Sequence, residues 1–447
     1  MKKTFLIVSL LFFNYIVFAQ SYSSKIDSLI KAYISLNKFN GTVLVTKNGK
    51  VVFNKSYGYG DVTNKRLITS KSIFQIGSLT KPFTALLILK IFDEKKISIN
   101  EPLSKFIINY PKGSEITIKH LLTHTSGIYE ALQDPNYFEL LTASKQLTNE
   151  ERISFFCNKP LSFTPGSKFS YSNSGYDLLG AVIEKLSGLT YQECLKKYIF
   201  EPLKMQNSGF DYRALNDKKR KVTGYSYLSK TRQIESKLWN PYAIFSSGAL
   251  YSTTGDLLKF YSGLKSYRIV SREVYESAVT PFLNGYGLGW YIDSIGKDLV
   301  INHGGNIDGF TSYYLMNHQN DICIILLNNI TSTSLERIGN SIYKILTNMP
   351  YILPKPKLEV PVKQEILSSY VGRYEISENY IATISLENSL LFLQINNETK
   401  MKLSAEKETV FFIKDEDMEI EFVPQKNTSF QLKIRQGLST KIGDKIK

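Results

Sequence analysis

The chain has 447 residues, 43% hydrophobic and 13% aromatic, with a formal net charge of +15 at pH 7. That is ample for a large core, and the length allows two or three domains. Three widely spaced cysteines (Cys157, Cys194, Cys323) exclude a disulfide framework, and no stretch beyond the N-terminus reaches about 18 apolar residues, which excludes a multi-span membrane protein.

Met1-Lys2-Lys3, the apolar run Thr4–Phe18 and Val17-Phe18-Ala19 predict a secretory signal peptide over residues 1–19. Cleavage before Gln20 places the mature protein in the periplasm or outside the cell. No cysteine lies near the site, so no lipid anchor is expected, and no integral span remains after cleavage. Ile26–Leu36 has helical periodicity. Gly41–Val45 and Val51–Ser56 predict a strand pair around Lys47-Asn48-Gly49-Lys50. A buried helix follows Ser78, and residues 98–240 read as helix and loop. His120 and His124 stand at helical i, i+4 spacing, but Leu-Leu-Thr lies between them, without the glutamate of a zinc-protease motif. A packing or hydrogen-bonding role is expected, with no metal and no cofactor. Lys218-Lys219-Arg220-Lys221 reads as a solvated loop, with no nucleic-acid partner.

Strand signals return at Gly287–Asp293, Leu299–Asn302, Ser312–Asn317 and Ile322–Asn328, before a closing helix at Ser334–Leu346. Early and late strands around a helical insertion predict an α+β fold. It has one antiparallel sheet flanked by helices, with a helical subdomain. Asn348–Lys363 carries four prolines and reads as a stiff linker. Beyond it, short alternating strands at Thr383–Leu386, Leu390–Ile395, Thr409–Lys414, Glu419–Val423 and Ser429–Arg435 predict a small all-β barrel or sandwich. The expected boundaries are 1–19, 20–347, 348–363 and 364–447.

Three motifs carry chemistry. The first is Ser78-Leu79-Thr80-Lys81. SxxK alone is cheap, because it also occurs at Ser28, Ser35, Ser262, Ser294, Ser341 and Ser404. What separates Ser78 is the apolar helix that follows, with Gly77 before it and Pro82 near its start. Ser78 and Lys81 share a helix face, and burial favours the neutral lysine amine, a base for the serine proton. The second motif, Tyr171-Ser172-Asn173, lies in a turn-rich loop before a helix. A tyrosine beside a cation is expected to favour its phenolate and relay a proton, while Asn173 orients Lys81 or a substrate amide. The third, His303-Gly304-Gly305-Asn306, follows a strand-like run. Its glycines let a substrate lie against the backbone, whose N–H groups can face an oxyanion.

Together these motifs resemble the serine β-lactamase and penicillin-binding-protein superfamily. Tyr-x-Asn points to the branch of class C β-lactamases, D-Ala-D-Ala carboxypeptidases, D-aminopeptidases and related esterases. Phe39–Val45, Ile116–Gly127, Phe200–Leu203, Ser246–Thr253 and Gly285–Trp290 match the same branch. The resemblance implies Ser78 as acylated nucleophile, Lys81 and Tyr171 sharing base and acid roles, and Asn173 positioning them. It also implies an oxyanion hole from the N–H groups of Ser78 and Asn306. Many members have Lys-Thr-Gly where this chain has His303-Gly304-Gly305, so carboxylate recognition is weakened. The expected function is a secreted serine hydrolase for small amide, D-amino-acid peptide or ester substrates. The alternatives are a true class C-like β-lactamase, or a non-catalytic penicillin-binding or sensor protein of the same fold.

Overall fold

The N-terminal hairpin forms from β1 (Gly41–Lys47) and β2 (Lys50–Ser56), with Thr42 opposite Ser56 and Lys47 opposite Lys50. Asn48 and Gly49 take φ of 51° and 71°, as a two-residue hairpin turn requires. The computed structural model describes residues 22–446 apart from 332–334, 378–379, 397, 415–417, 426–428 and 437–438. The expected signal peptide lies outside the described residues. Among them, no helix is long and apolar enough to cross a membrane.

The hairpin joins four late strands: β3 (Tyr291–Ile295), β4 (Asp298–Ile307), β5 (Phe310–Asn317) and β6 (Ile322–Asn328). The sheet order is β2-β1-β6-β5-β4-β3, and every pairing is antiparallel. Every residue of β6 is buried, because both of its faces are covered. Cys323, Ile325 and Leu327 join the large core that includes Phe83 and Phe260. On the other face, Leu326 lies by Gly339 of the helix Glu336–Leu346. The predicted α+β architecture is therefore observed.

Three helical segments carry the site. The helix α1 (Thr80–Lys95) is apolar on nearly every side, so it runs through the core, with Thr80 to Leu89 all buried. The helix α2 (Asn173–Ser187) is capped by Ser172, whose Oγ accepts from the Gly175 N–H at 3.0 Å. Gly188 ends it in the left-handed conformation. The segment Pro241–Gly248 is helical on both sides of a break at Phe245 (φ 20°, ψ −124°).

The chain divides into two compact units, residues 1–331 with 338–352 and residues 332–337 with 353–447. The second unit opens with α3 (Gln364–Tyr370), a short helix that the sequence reading did not expect. Its strands are β7 (Gly372–Ser377), β8 (Tyr380–Glu387), β9 (Leu390–Ile395), β10 (Met401–Lys402), β11 (Ser404–Ala405), β12 (Val410–Phe412), β13 (Met418–Pro424), β14 (Phe430–Gln436) and β15 (Ser439–Ile446). They form a nearly closed, barrel-like antiparallel sheet in the order β10-β9-β8-β7-β15-β14-β13-β12-β11. Its core holds Tyr374, Ile384, Leu393, Ile420, Phe422, Leu432 and Ile434. Tyr370 of α3 stacks on Phe422 at 4.0 Å between ring centroids.

Candidate active site

Gly77 (φ 51°) turns the chain into a single 3-10 turn, Gly77–Leu79, that runs straight into α1. The Thr80 hydroxyl locks this entry by donating to the Gly77 carbonyl at 2.7 Å. Ser78 is left partly exposed, while Lys81, one turn on, is fully buried. The Lys81 Nζ lies 3.2 Å from Ser78 Oγ, and it donates to Asn173 Oδ1 at 2.7 Å and to the Ser247 carbonyl at 2.9 Å. The break at Phe245 makes the last contact possible. It presents the Ser247 carbonyl to Lys81 and the Ser246 carbonyl to the Thr84 hydroxyl, at 2.6 Å. Burial pulls the Lys81 pKa down to about 7, against the pull of Glu130 and Asp177, which raise it. A neutral amine is therefore accessible near pH 7.

Tyr171 lies before the α2 cap, with the Lys81 amine 4.7 Å from its ring centroid. The sequence reading expected a favoured phenolate, and the structure reverses that direction. Burial pushes the phenol well above its usual pKa, and the hydrogen bond with Ser78 pulls the other way without overcoming it. Lysine meets the ring face, so burial of the hydroxyl decides its protonation. Tyr171 is a neutral hydrogen-bonding phenol, suited to passing a proton rather than holding a negative charge. Asn173 opens α2 and is fixed by Glu130, which accepts from its backbone N–H at 2.5 Å and its side-chain amide at 3.3 Å.

His124 stands outside the helix Ile118–Leu122, with φ 56°, so it does not share a helix face with His120. His120 Nδ1 accepts from the Thr117 N–H, and His124 Nδ1 accepts from the Ser172 N–H at 3.0 Å. The two rings serve separate turns. The His124 ring packs on Tyr171 at 4.2 Å between centroids and supports the tyrosine loop.

His303, Gly304, Gly305 and Asn306 lie inside β4, continuing the strand-like run that precedes them. Gly305 is needed for packing against the Ser78 turn rather than for substrate approach. A Cβ there would sit 1.9 Å from the Ile76 carbonyl oxygen, which accepts from the Ser312 hydroxyl at 2.8 Å. That close approach brings Asn306 beside Gly77, and both residues line one pocket with Ser78. Gly304 is different, since a Cβ there would meet nothing nearer than 3.7 Å. His303 is buried, with its ring 6.5 Å from that of Tyr171 between centroids. Its Nδ1 lies 2.6 Å from the Gly304 carbonyl, which can only accept, so that nitrogen carries the proton. Its Nε2 then accepts from the Tyr286 hydroxyl at 3.1 Å. Burial pulls the imidazole pKa down to about 3, with Lys81 adding to the effect.

Ser78, Lys81, Tyr171 and Asn173 are thus brought together, and Asn306 joins Ser78 in a pocket of about 110 Å³. A family model described as Beta-lactamase matches residues 26–347. The chain belongs to the β-lactamase family. A second model, for a domain of unknown function (DUF3471), matches residues 356–441. Penicillin-binding protein 4* of Bacillus subtilis is 30% identical over 432 residues, covering 90% of this chain and 94% of that protein. The octameric penicillin-binding protein homologue from Pyrococcus abyssi is 28% identical, with a TM-score of 0.67 over 94% of this chain and 99% of the other. The D-amino acid amidase from Ochrobactrum anthropi SV3 shares the fold, with a TM-score of 0.65 over 74% of this chain and 99% of that one, at 21% identity. At family level this β-lactamase relative is a serine hydrolase.

Sequence reasoning missed Glu130, Asp177 and the Ser247 carbonyl. Asp177 had a signal, because it lies four residues after Asn173 and shares its helix face. Glu130 and Ser247 reach the site through loops and a broken helix, for which no local spacing rule exists.

Proposed function

We propose that the protein is an exported serine hydrolase that works through an acyl-enzyme on Ser78. The observation that carries this reading is the Lys81 amine, 3.2 Å from Ser78 Oγ and held at a pKa of about 7. Neutral Lys81 takes the proton as Ser78 Oγ attacks a carbonyl. The N–H groups of Ser78 and Asn306 hold the oxyanion. Tyr171 passes a proton to the leaving group, and Asn173, fixed by Glu130, keeps Lys81 in place. Water then attacks the acyl-enzyme by the same route, returning the serine.

Small amides, D-amino-acid peptides and esters are the favoured substrates. Both nitrogens of His303 are occupied by Tyr286 and Gly304, and Gly304 brings no hydroxyl. Neither residue offers a charged hydrogen bond to a substrate carboxylate, which is worth about 1.5–3 kcal/mol. A second reading, acylation by β-lactams, is supported by the relationship to the penicillin-binding protein of Bacillus subtilis. Side-by-side kcat/KM values for nitrocefin, p-nitrophenyl acetate and D-alanyl p-nitroanilide test the choice. Nitrocefin should be the poorest of the three. A nitrocefin value above both others by a hundredfold or more establishes a β-lactamase instead.

A further inference from the structure

The pocket beside Ser78 continues past Asn173 to a carboxylate that the acyl-transfer steps do not use. Asp177 is 3% exposed, lies one helical turn beyond Asn173 on α2, and is part of the pocket lining. Among the described residues its Oδ1 has no hydrogen-bond partner; the Ser247 side chain lies close enough to act on the carboxylate, but its hydroxyl donates to the Ile244 carbonyl at 2.7 Å. An unpartnered buried carboxylate oxygen calls for a donor, and leaving it unmatched is unfavourable. Two cations lie close enough to act on it electrostatically, and both are engaged elsewhere. Arg152 donates to the Leu147 and Tyr242 carbonyls and lies over the Phe245 ring, while Lys81 donates to Asn173 and Ser247. Glu130 adds a second carboxylate to the same lining, and Tyr137 and Trp239 add aromatic surface.

The side of the reaction that this pocket serves follows from its walls. Ser78, Asn173 and Asn306 line it, whereas Tyr171 and His303 lie outside its lining. Tyr171 is the group assigned to the leaving group, so the pocket receives the acyl portion. This step rests on the Ser78 reading above.

We propose that this pocket is an anionic acyl-side subsite in which Asp177, supported by Glu130, selects acyl groups that carry a primary ammonium. An ammonium supplies the donor that Asp177 Oδ1 lacks, brings a countercharge to two carboxylates, and is attracted to aromatic faces. Burial raises the pKa of both carboxylates, to about 7 for Asp177, so a bound cation also favours their charged forms. The pocket volume suits a short aminoacyl chain.

The test compares D-alaninamide with its N-acetyl form. In the full-length Ser78→Ala protein, calorimetry should show D-alaninamide bound at least about tenfold more tightly, the usual scale of one charge-assisted contact. Asp177→Asn in the same background should bring the two affinities together. In the wild type, the kcat/KM ratio of D-alanyl to N-acetyl-D-alanyl p-nitroanilide should also reach about tenfold. The ratio is read within one protein, so the wild-type arm stands even where Asp177→Asn does not fold. Equal binding and equal turnover of the two forms overturn the subsite and leave the Ser78 reading intact. Preferential D-alaninamide binding without serine labelling in the wild type supports the subsite and overturns the Ser78 reading. A preference that survives in soluble, folded Asp177→Asn also overturns the assignment.

Discussion

Burial lowers the Lys81 pKa to about 7, while the Glu130 and Asp177 carboxylates limit the fall. The base must be deprotonated, so kcat/KM for p-nitrophenyl acetate should rise with pH through about 7 and level off above it. Tyr171 acts in its neutral form with a pKa well above 10.0, so no loss should appear on the alkaline side up to that value. Asp177 is also raised to about 7, and Asp177→Asn separates the two. The limb should persist in that variant and move down in pH, because Asp177 raises the lysine pKa. A profile flat from pH 5 to 9, or a limb lost with Asp177, would remove Lys81 as the base. The pairing of Ser78 with Lys81 was legible from spacing and the apolar helix. The protonation state of Tyr171 was not, because it depends on how deeply a loop residue is buried and on which part of its ring the lysine faces.

Two glycines in β4 do different work, and their spacing in sequence gives no sign of it. Gly305 lets the Ile76 carbonyl approach within a distance that no side chain permits, and that approach sets the Ser78 turn beside Asn306. Gly305→Ala should lower stability by about 1–3 kcal/mol through overpacking, and should lower kcat/KM by about a hundredfold through misplaced reacting groups. Gly304→Ala should change Tm little, because a Cβ there would make only ordinary van der Waals contacts, with the Ser312 carbonyl and the Tyr313 ring. Thermal unfolding and ester hydrolysis of both variants check this, and equal effects at the two positions would contradict it. β4 was legible only as far as Asn302, since a histidine and two glycines interrupt its apolar pattern. The observed strand runs to Ile307, held by pairing with β5 from Ile301 to Ile307. The run Ile322–Asn328, apolar throughout, was legible in full.

At the scale of the whole molecule, the early and late strands were legible as one sheet because nothing between them has strand character of comparable length. The second unit was legible as β-rich, but β7, β10, β11 and β15 were missed. β15 reads Ser-Thr-Lys-Ile-Gly-Asp-Lys-Ile, too polar to signal a strand, and its backbone pairing with β14 and β7 supplies the order. We expect limited proteolysis to separate the two units. Lys357 pairs with Glu406 and Glu419, and the Val360 N–H donates to the Ala405 carbonyl, so the later part of the Pro-rich segment is tied to the second unit. Proteinase K should therefore cut first between about 348 and 356 and leave two folded fragments, since exposed, weakly tied backbone is cut first. Early cleavage scattered across 364–446 would contradict a separable unit.

Formation of the acyl-enzyme on Ser78 is read most directly by covalent labelling. The full-length protein is treated with a fluorophosphonate probe, weighed intact by mass spectrometry, and then mapped by peptide. A single adduct is expected on Ser78, blocked by prior incubation with a substrate and absent in Ser78→Ala. An adduct on another serine, or ester hydrolysis that continues undiminished in Ser78→Ala, would contradict it.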